Sequence, residues 1–413
     1  MARAHALHDV DLTDLDLFSH GFPHAVFEVH RRDAPVYWHE PTDHTPDREG
    51  FWSVATYPET VGLLRDPATF SSEKGGHRPY GGTILPDTTA AGSMLNMMDD
   101  PRHQRIRRLV NRGFTPRTIV DLEEQLRRRT AECLDAALEA GVCDFLVDVA
   151  LEVPLQAVCL LLGAPEEDRH RIFQWIEPTL DFEGRDAYEP TPASREASAR
   201  MAEYGAALIE EKRRNPGSDM LSVVTHAELD DEDPPRLTDF ELLMFFFLLF
   251  AAGAETTRNA SAGGLLALLD FPDELELVRT DPTVLPTAVD EIVRYTSPTA
   301  YNRRTATVDT ELGGHPIRAG DKVVFWEASA NRDEAVFDDP MRLDVRRDPN
   351  PHVGFGHGAH FCLGANLARL EIRLVLEELF ARCSGYELAG EPEWQRSNKH
   401  TGLRHLPLRL IPR

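Results

Sequence analysis

The chain reads as mainly α with a minor antiparallel β region, and three observations predict it. From about Pro101 to Asp290, amphipathic stretches recur at helical spacing and are broken only by polar segments. Between residues 305 and 326, "TATVDTELGGHPIRAGDKVVFW" alternates around a Gly-Gly turn, as short antiparallel strands do. The apolar run "LLMFFFLLFAA" (242–252) is bounded by Glu241 and Glu255. It is too short to span a bilayer and is expected to be a buried core helix.

The elements follow in chain order. "APVYW" and "GFWSVA" suggest a hairpin near residues 34–55. The helical part is expected over about 100–294, with breaks at 177–194 and at the charged, proline-containing "AELDDEDPPRL" (227–237). An irregular Asp/Pro/Arg-rich stretch (331–352) precedes a helix over about 364–381, and "TGLRHLPLRLI" closes the chain as strand. The β part is therefore placed at about 34–70 and 297–330 plus the C-terminal strands. No repeat of fixed period and no flexible linker is visible, so one large domain over 1–413 is expected.

Composition narrows the function. With 44 basic and 69 acidic residues the net charge is −25, which opposes non-specific binding to nucleic acid or anionic membrane. The N-terminus, "MARAHALHDVDLTDLDL", holds no apolar stretch of signal or anchor length, so no membrane anchor is expected. Cysteines stand at 133, 143, 159, 362 and 383, odd in number and without a CxxC pair. That suits a reducing cytoplasm better than a disulfide framework.

One cysteine stands apart. In "FGHGAHFCLG" (355–364), Gly356, Gly358 and Gly364 let the backbone turn sharply around Cys362, just before a helix. A helix N-terminus favours thiolate over thiol, and a thiolate there is a nucleophile or a metal ligand. A small buried hydrophobe is the ordinary alternative for an isolated cysteine. Zinc bound by His360 and Cys362 lacks further ligands at recognisable spacing. A cysteine protease would need a paired base and an oxyanion hole elsewhere.

Phe355, Gly358, His360, Cys362 and Gly364, continuing into "GANLAR", resemble the haem-binding signature of the cytochrome P450 family at all five positions. The resemblance implies the P450 fold, a single large triangular-prism domain. It also implies haem b (iron protoporphyrin IX) with the Cys362 thiolate as axial ligand of the iron, whose electron donation favours O–O cleavage. Phe355, Gly356 and Gly364 would then lie against the haem, and His360 would be one of four contacts to its propionates.

Three further constellations match the family in order. "AGAETT" (252–257) resembles its oxygen-activation segment, with Glu255 and Thr256 as the acid–alcohol pair that relays protons. Leu248 and Ala252 share a helix face with Thr256 and, with Met94 and Ala300, are expected to line an apolar substrate pocket. Glu291 and Arg294 resemble the ExxR pair, which Arg342 in "DDPMRLDV" would complete as a structural triad; Leu343 replaces the usual aromatic. His103 and Arg107 fall at i,i+4 and, with Arg304, match groups that hold the haem propionates; Arg303 is expected to be solvated. Arg105, Arg108 and Arg112 fall on another face, where bacterial relatives dock an acidic iron–sulfur protein.

The implied activity is that of a soluble haem-thiolate monooxygenase. Electrons from NAD(P)H would arrive through a ferredoxin reductase and a ferredoxin. One oxygen atom of O2 would enter a C–H bond of an apolar sterol, terpenoid or branched lipid. Two other readings stay open at this point: a P450-fold isomerase or dehydratase, and a non-catalytic haem sensor.

Overall fold

The fold is organised around one helix, Asp239–Asp270, whose start is set by a capping box. The Thr238 hydroxyl accepts from the Glu241 amide while the Glu241 carboxylate accepts from the Thr238 amide. The computed structural model describes residues 7–111, 116–180, 190–229 and 235–413. At 32 residues this helix runs far beyond the apolar stretch, and by length and composition alone it would reach across a membrane. It lies instead inside the bundle, with Phe245, Phe246, Phe250, Leu265 and Leu268 in the core. Helices Glu152–Leu162, Pro192–Arg214, Leu285–Thr296 and Ala365–Arg382 pack around it.

The β region gathers both ends of the chain. The expected hairpin forms between Val36–His39 and Phe51–Val54. It joins Lys322–Phe325, Asn302–Ala306 and Phe70–Ser71 in one five-stranded sheet. Phe51–Val54 runs parallel to Lys322–Phe325, a departure from the all-antiparallel expectation that follows from the long helical excursion between them. Gly313 and Gly314, at φ of 55° and 80°, turn the small hairpin Thr310–Leu312 to His315–Ile317. A strand that sequence reasoning missed, Val142–Asp144, pairs with Pro407–Pro412; three residues carry no readable alternation.

The helical breaks are narrower than expected. Arg169–Leu180 continues through Pro178, and Pro192–Arg214 begins inside the second half of the 177–194 break. Residues 181–189, and 230–234 in the other break, lie outside the described residues.

Two arginine expectations are corrected. Arg303 is fully buried, not solvated: it donates to the carbonyls of Gly82 and Leu85 and pairs with Asp87 at 2.8 Å. Arg342 does not complete the ExxR triad. Glu291 and Arg294, both fully buried, form a two-pronged pair at 2.7 Å. The third arginine is Arg347, whose Nε lies 3.2 and 3.3 Å from the two Glu291 oxygens, while Asn350 donates to the same carboxylate. Arg342 contributes only its carbonyl to Arg294, and its half-exposed side chain turns outward to Glu274. Breaking a buried, hydrogen-bonded ion pair strands a charge and costs about 3–5 kcal/mol. Arg347→Ala should therefore lower the unfolding midpoint in denaturant beyond Arg342→Ala, which is half-exposed and whose buried partner Glu274 keeps a bond from the Val345 amide; equal midpoints for the two would contradict the assignment.

A buried histidine ties the N-terminal helix to the sheet. His30 is fully enclosed, bonded through Nδ1 to the Ala34 carbonyl at 2.6 Å and through Nε2 to Ser53 Oγ at 2.7 Å. Burial lowers its pKa to about 4. The unfolded chain, at the ordinary value near 6.5, binds a proton before the folded one does, so this contribution is present above that value and is lost as the pH falls towards 4. Thermal melts should show stability falling from pH 7 to pH 5, by on the order of 2 kcal/mol from this group, and His30→Asn should flatten the slope.

Candidate haem-thiolate site

The cysteine loop is held open by its glycines. Gly356 and Gly358 adopt φ of 69° and 68°, the left-handed region that side chains rarely enter. At Gly358 a Cβ would also come within 2.5 Å of the Leu64 carbonyl oxygen, so nothing larger fits. The Cys362 amide donates to the Phe355 carbonyl at 2.8 Å, closing the loop. Gly364 caps the helix Ala365–Arg382, and a Cβ there would meet no protein atom within 4 Å. Phe355 is buried beneath the Arg369 guanidinium, 4.5 Å from its ring centre.

Cys362 is the exposed cysteine; the other four are buried. Its sulfur nevertheless has enough protein around it that burial raises its pKa, outweighing the Gly364 amide that donates to sulfur and the Arg107 charge. The expected thiolate preference of the helix N-terminus is therefore overridden in the chain alone. A metal cation is what would deprotonate this sulfur.

Three cationic or cation-capable groups, His103, Arg107 and Arg304, gather around His360, two residues before Cys362. The His103 ring lies 4.1 Å from that of His360, and Arg107 donates to the Phe361 carbonyl beside Cys362. His360 contacts Ser72 Oγ at 3.2 Å, and its pKa is lowered to about 2 by burial and by the charges of Arg304, His103 and Arg107. Burial brings Arg304 down to about 10, and among the described residues its guanidinium hydrogen-bonds only to its neighbour, the Arg303 carbonyl. Burial likewise lowers Arg107 and His103. His103 Nε2 is buried without a partner although Nδ1 faces Asp100. Guanidinium charge at Arg304 and Arg107, with N–H groups left over, is a site shaped for a dianionic group, and His103 would join it through Nε2 once protonated. The residues present fit haem: a thiol, open space beyond Gly364 and donors for two carboxylates.

The acid–alcohol pair is adjacent in the helix but not in contact. Thr256 Oγ1 donates back to the Ala252 carbonyl at 2.9 Å. Glu255 is buried and faces the C-terminal segment, accepting from Arg258 at 2.7 Å, Gln395 at 3.0 Å and Asn259 at 3.1 Å. Burial pushes its pKa up, but Arg258, His400 and the amide donors outweigh it and the net shift is downward. Gln395, 140 residues away, escaped sequence reasoning because no local pattern signals it.

Of the expected pocket residues, Ala252 is exposed and Leu248 and Met94 are partly so. Ala300 is a correction. It is 1 % exposed and packs with Phe18, Tyr301 and Trp326 in the core behind the sheet. On the proposed docking face Arg108 is exposed and Arg105 half-buried; Arg112 lies outside the described residues.

A glycine-turned cysteine loop beside a cationic cluster and a polar helix segment, on this topology, defines a haem-thiolate protein. The cytochrome P450 family model matches residues 187–410. The chain is 56% identical to cytochrome P450 126 of Mycobacterium tuberculosis over 411 residues, 99% of each chain. It is 38% identical to a methyl-branched lipid omega-hydroxylase of Mycobacterium bovis, over 97% of this chain and 94% of the relative. A Mycobacterium marinum cytochrome P450 solved in complex with pseudoionone superposes with a TM-score of 0.87 at 35% identity, covering 97% of this chain and 98% of that one. The chain belongs to the cytochrome P450 family, binds haem iron and is a cytochrome P450 monooxygenase.

Haem retention depends on the loop's backbone. Gly358→Ala should purify with a markedly lower haem-to-protein ratio than wild type, whereas Gly62→Ala, where a Cβ meets nothing within 4 Å, should not. Equal ratios would contradict the account of the loop.

Proposed function

We propose that this chain, working as one domain, hydroxylates an apolar small molecule of the sterol, terpenoid or branched-lipid kind. The observation that carries this reading is the glycine-turned loop of the exposed Cys362, with His103, Arg107 and Arg304 gathered around His360 beside it. Cys362 would hold the iron of haem b, those four residues would hold its propionates, and Phe355, Gly356 and Gly364 would lie against its edge. Haem, when bound, supplies the oxygen-activating chemistry. The chain supplies a dry, apolar wall from Met94, Leu248 and Ala252, and a proton route from Glu255 and Thr256. Thr256 already holds one hydrogen bond to the Ala252 carbonyl and is the hydroxyl nearest in sequence to the acid. Swinging Glu255 out of its bonds to Gln395 and Asn259 would bring a carboxyl to that hydroxyl.

The relatives' names support the chemistry: one is a methyl-branched lipid hydroxylase, and another was solved with an apolar ketone. We further propose that a ferredoxin, itself reduced by a ferredoxin reductase from NAD(P)H, docks where Arg108 is exposed. The setting is the cytoplasm, supported by five free cysteines.

The test is isotopic. With ferredoxin, reductase, NAD(P)H and 18O2, a hydroxylated product should carry one 18O atom, and Thr256→Ala should cut the product formed per NAD(P)H consumed by about tenfold or more. Product formed without oxygen would favour an isomerase or dehydratase. Oxygen that is neither consumed nor incorporated across a broad apolar panel would favour a sensor.

A further inference from the structure

Away from the cysteine loop, a groove of about 640 Å3 lies between helices Pro116–Ala140, Glu152–Leu162 and Arg169–Leu180. Its floor is Cys133, Ala137 and Leu151, all buried. Ala136 and Ala140, both exposed, leave the space that larger side chains on the first helix would fill. Phe173 forms a wall. The turn Leu146–Ala150, which borders the groove through Val147 and Asp148, is a π-helix, a rare arrangement that gathers at functional sites. A recess of this size over an apolar floor takes a small molecule.

The mouth is acidic. Glu132, Asp148 and Glu152 line the groove against one guanidinium, that of Arg129. Arg129 donates to Glu152, which also accepts from Arg169 at 3.2 Å and faces the exposed His170 at 3.3 Å, so this buried carboxylate is already met. Glu132 lies 3.5 Å from the same Arg129 and is more than half exposed. Asp148, also exposed, accepts from the Asp144 amide at 2.9 Å and has no ion-pair partner among the described residues. Two exposed carboxylates beside an apolar slot complement a cation with an apolar body.

The inner wall leads to Glu255. Phe173 packs with Leu151, Leu155 and Ala254, the residue before Glu255 on the central helix. The Arg258 guanidinium lies 5.5 Å from the Phe173 ring centre while it donates to Glu255 at 2.7 Å. Gly253 permits this close approach: a Cβ there would come within 2.6 Å of Val158 on helix Glu152–Leu162. One aromatic ring is therefore shared by the groove and by the ion pair that turns Glu255 aside.

We propose that this groove is an effector site for a small cation with an apolar body, whose binding braces Phe173 and Arg258 and holds Glu255 in its turned-aside state. A ligand that fits the groove as it stands in this state favours this state. The site rests on the groove itself; its consequence for proton delivery rests on the hydroxylase reading.

The probe is benzyltrimethylammonium, whose quaternary nitrogen cannot ligate iron, titrated calorimetrically into the haem-loaded protein. It should bind saturably with the Soret band unmoved, and phenylacetate should not bind. Ala136→Phe, at an exposed helix position, should fill the slot and weaken the probe about tenfold or more. Glu132→Gln combined with Asp148→Asn should weaken it several-fold and leave the uncharged isostere neopentylbenzene unaffected. Coupling is reciprocal in binding free energy, so Glu255→Gln should also weaken the probe, by about fivefold, while Thr256→Ala should not. No saturable binding, a Soret shift, equal binding of phenylacetate or indifference to Ala136→Phe overturns the site. Unchanged affinity in Glu255→Gln overturns the link to Glu255. Failure of the hydroxylase reading would show apart from all of these, as missing product in the 18O2 test.

Discussion

The structure depends on positive charge that the chain does not neutralise by itself. Among the described residues, Arg304 sits buried with a single hydrogen bond to a backbone carbonyl, Arg107 reaches only the Phe361 carbonyl, and His103 Nε2 has no hydrogen-bond partner. Burying cations in this way is unfavourable unless an anion completes them. A dianionic macrocycle seated on Cys362 would do so, and its binding would add to stability as any ligand of the folded state does. The glycine turns, the open space at Gly364 and the rigid Phe355–Cys362 bond keep the thiol and the cations in register for that event.

Rigidity comes from elsewhere in the chain. The Glu291–Arg294 pair accepts and donates to Arg347, Asn350, Asp344 and three backbone carbonyls, so it locks the irregular stretch before the cysteine loop onto the helix Leu285–Thr296. That stretch has few regular backbone bonds of its own, and the buried ion pair substitutes for them. Glu255 likewise clamps the central helix to the C-terminal segment through Gln395. The site is thus held between two polar locks, one purely structural and one that includes a residue proposed to move protons.

Much of this was legible in the sequence wherever the signal is local. The cysteine loop, the helix after it, the first hairpin, the Gly-Gly turn and the i,i+3 and i,i+4 pairs all depend on neighbours a few residues apart. Long-range partnerships were not. Arg347 rather than Arg342 completes the triad because the turn near Asp339, at φ 44°, sends Arg342 outward, and spacing alone cannot register that. Arg303 looked like one more solvated base until the 82–87 segment folded over it. Glu255 looked as though it faced Thr256, whereas three donors, one from 140 residues away, turn it aside. Ala300 looked like pocket wall because small apolar residues suit both walls and cores.

The central claim is that Cys362 ligates haem iron as a thiolate, and the absorption spectrum of the reduced, carbon monoxide-bound protein tests it most directly. The account predicts the strongly red-shifted Soret band of thiolate ligation in the wild type and its loss in Cys362→Ala. Haem bound without that red shift, or a band that survives the substitution, would contradict it.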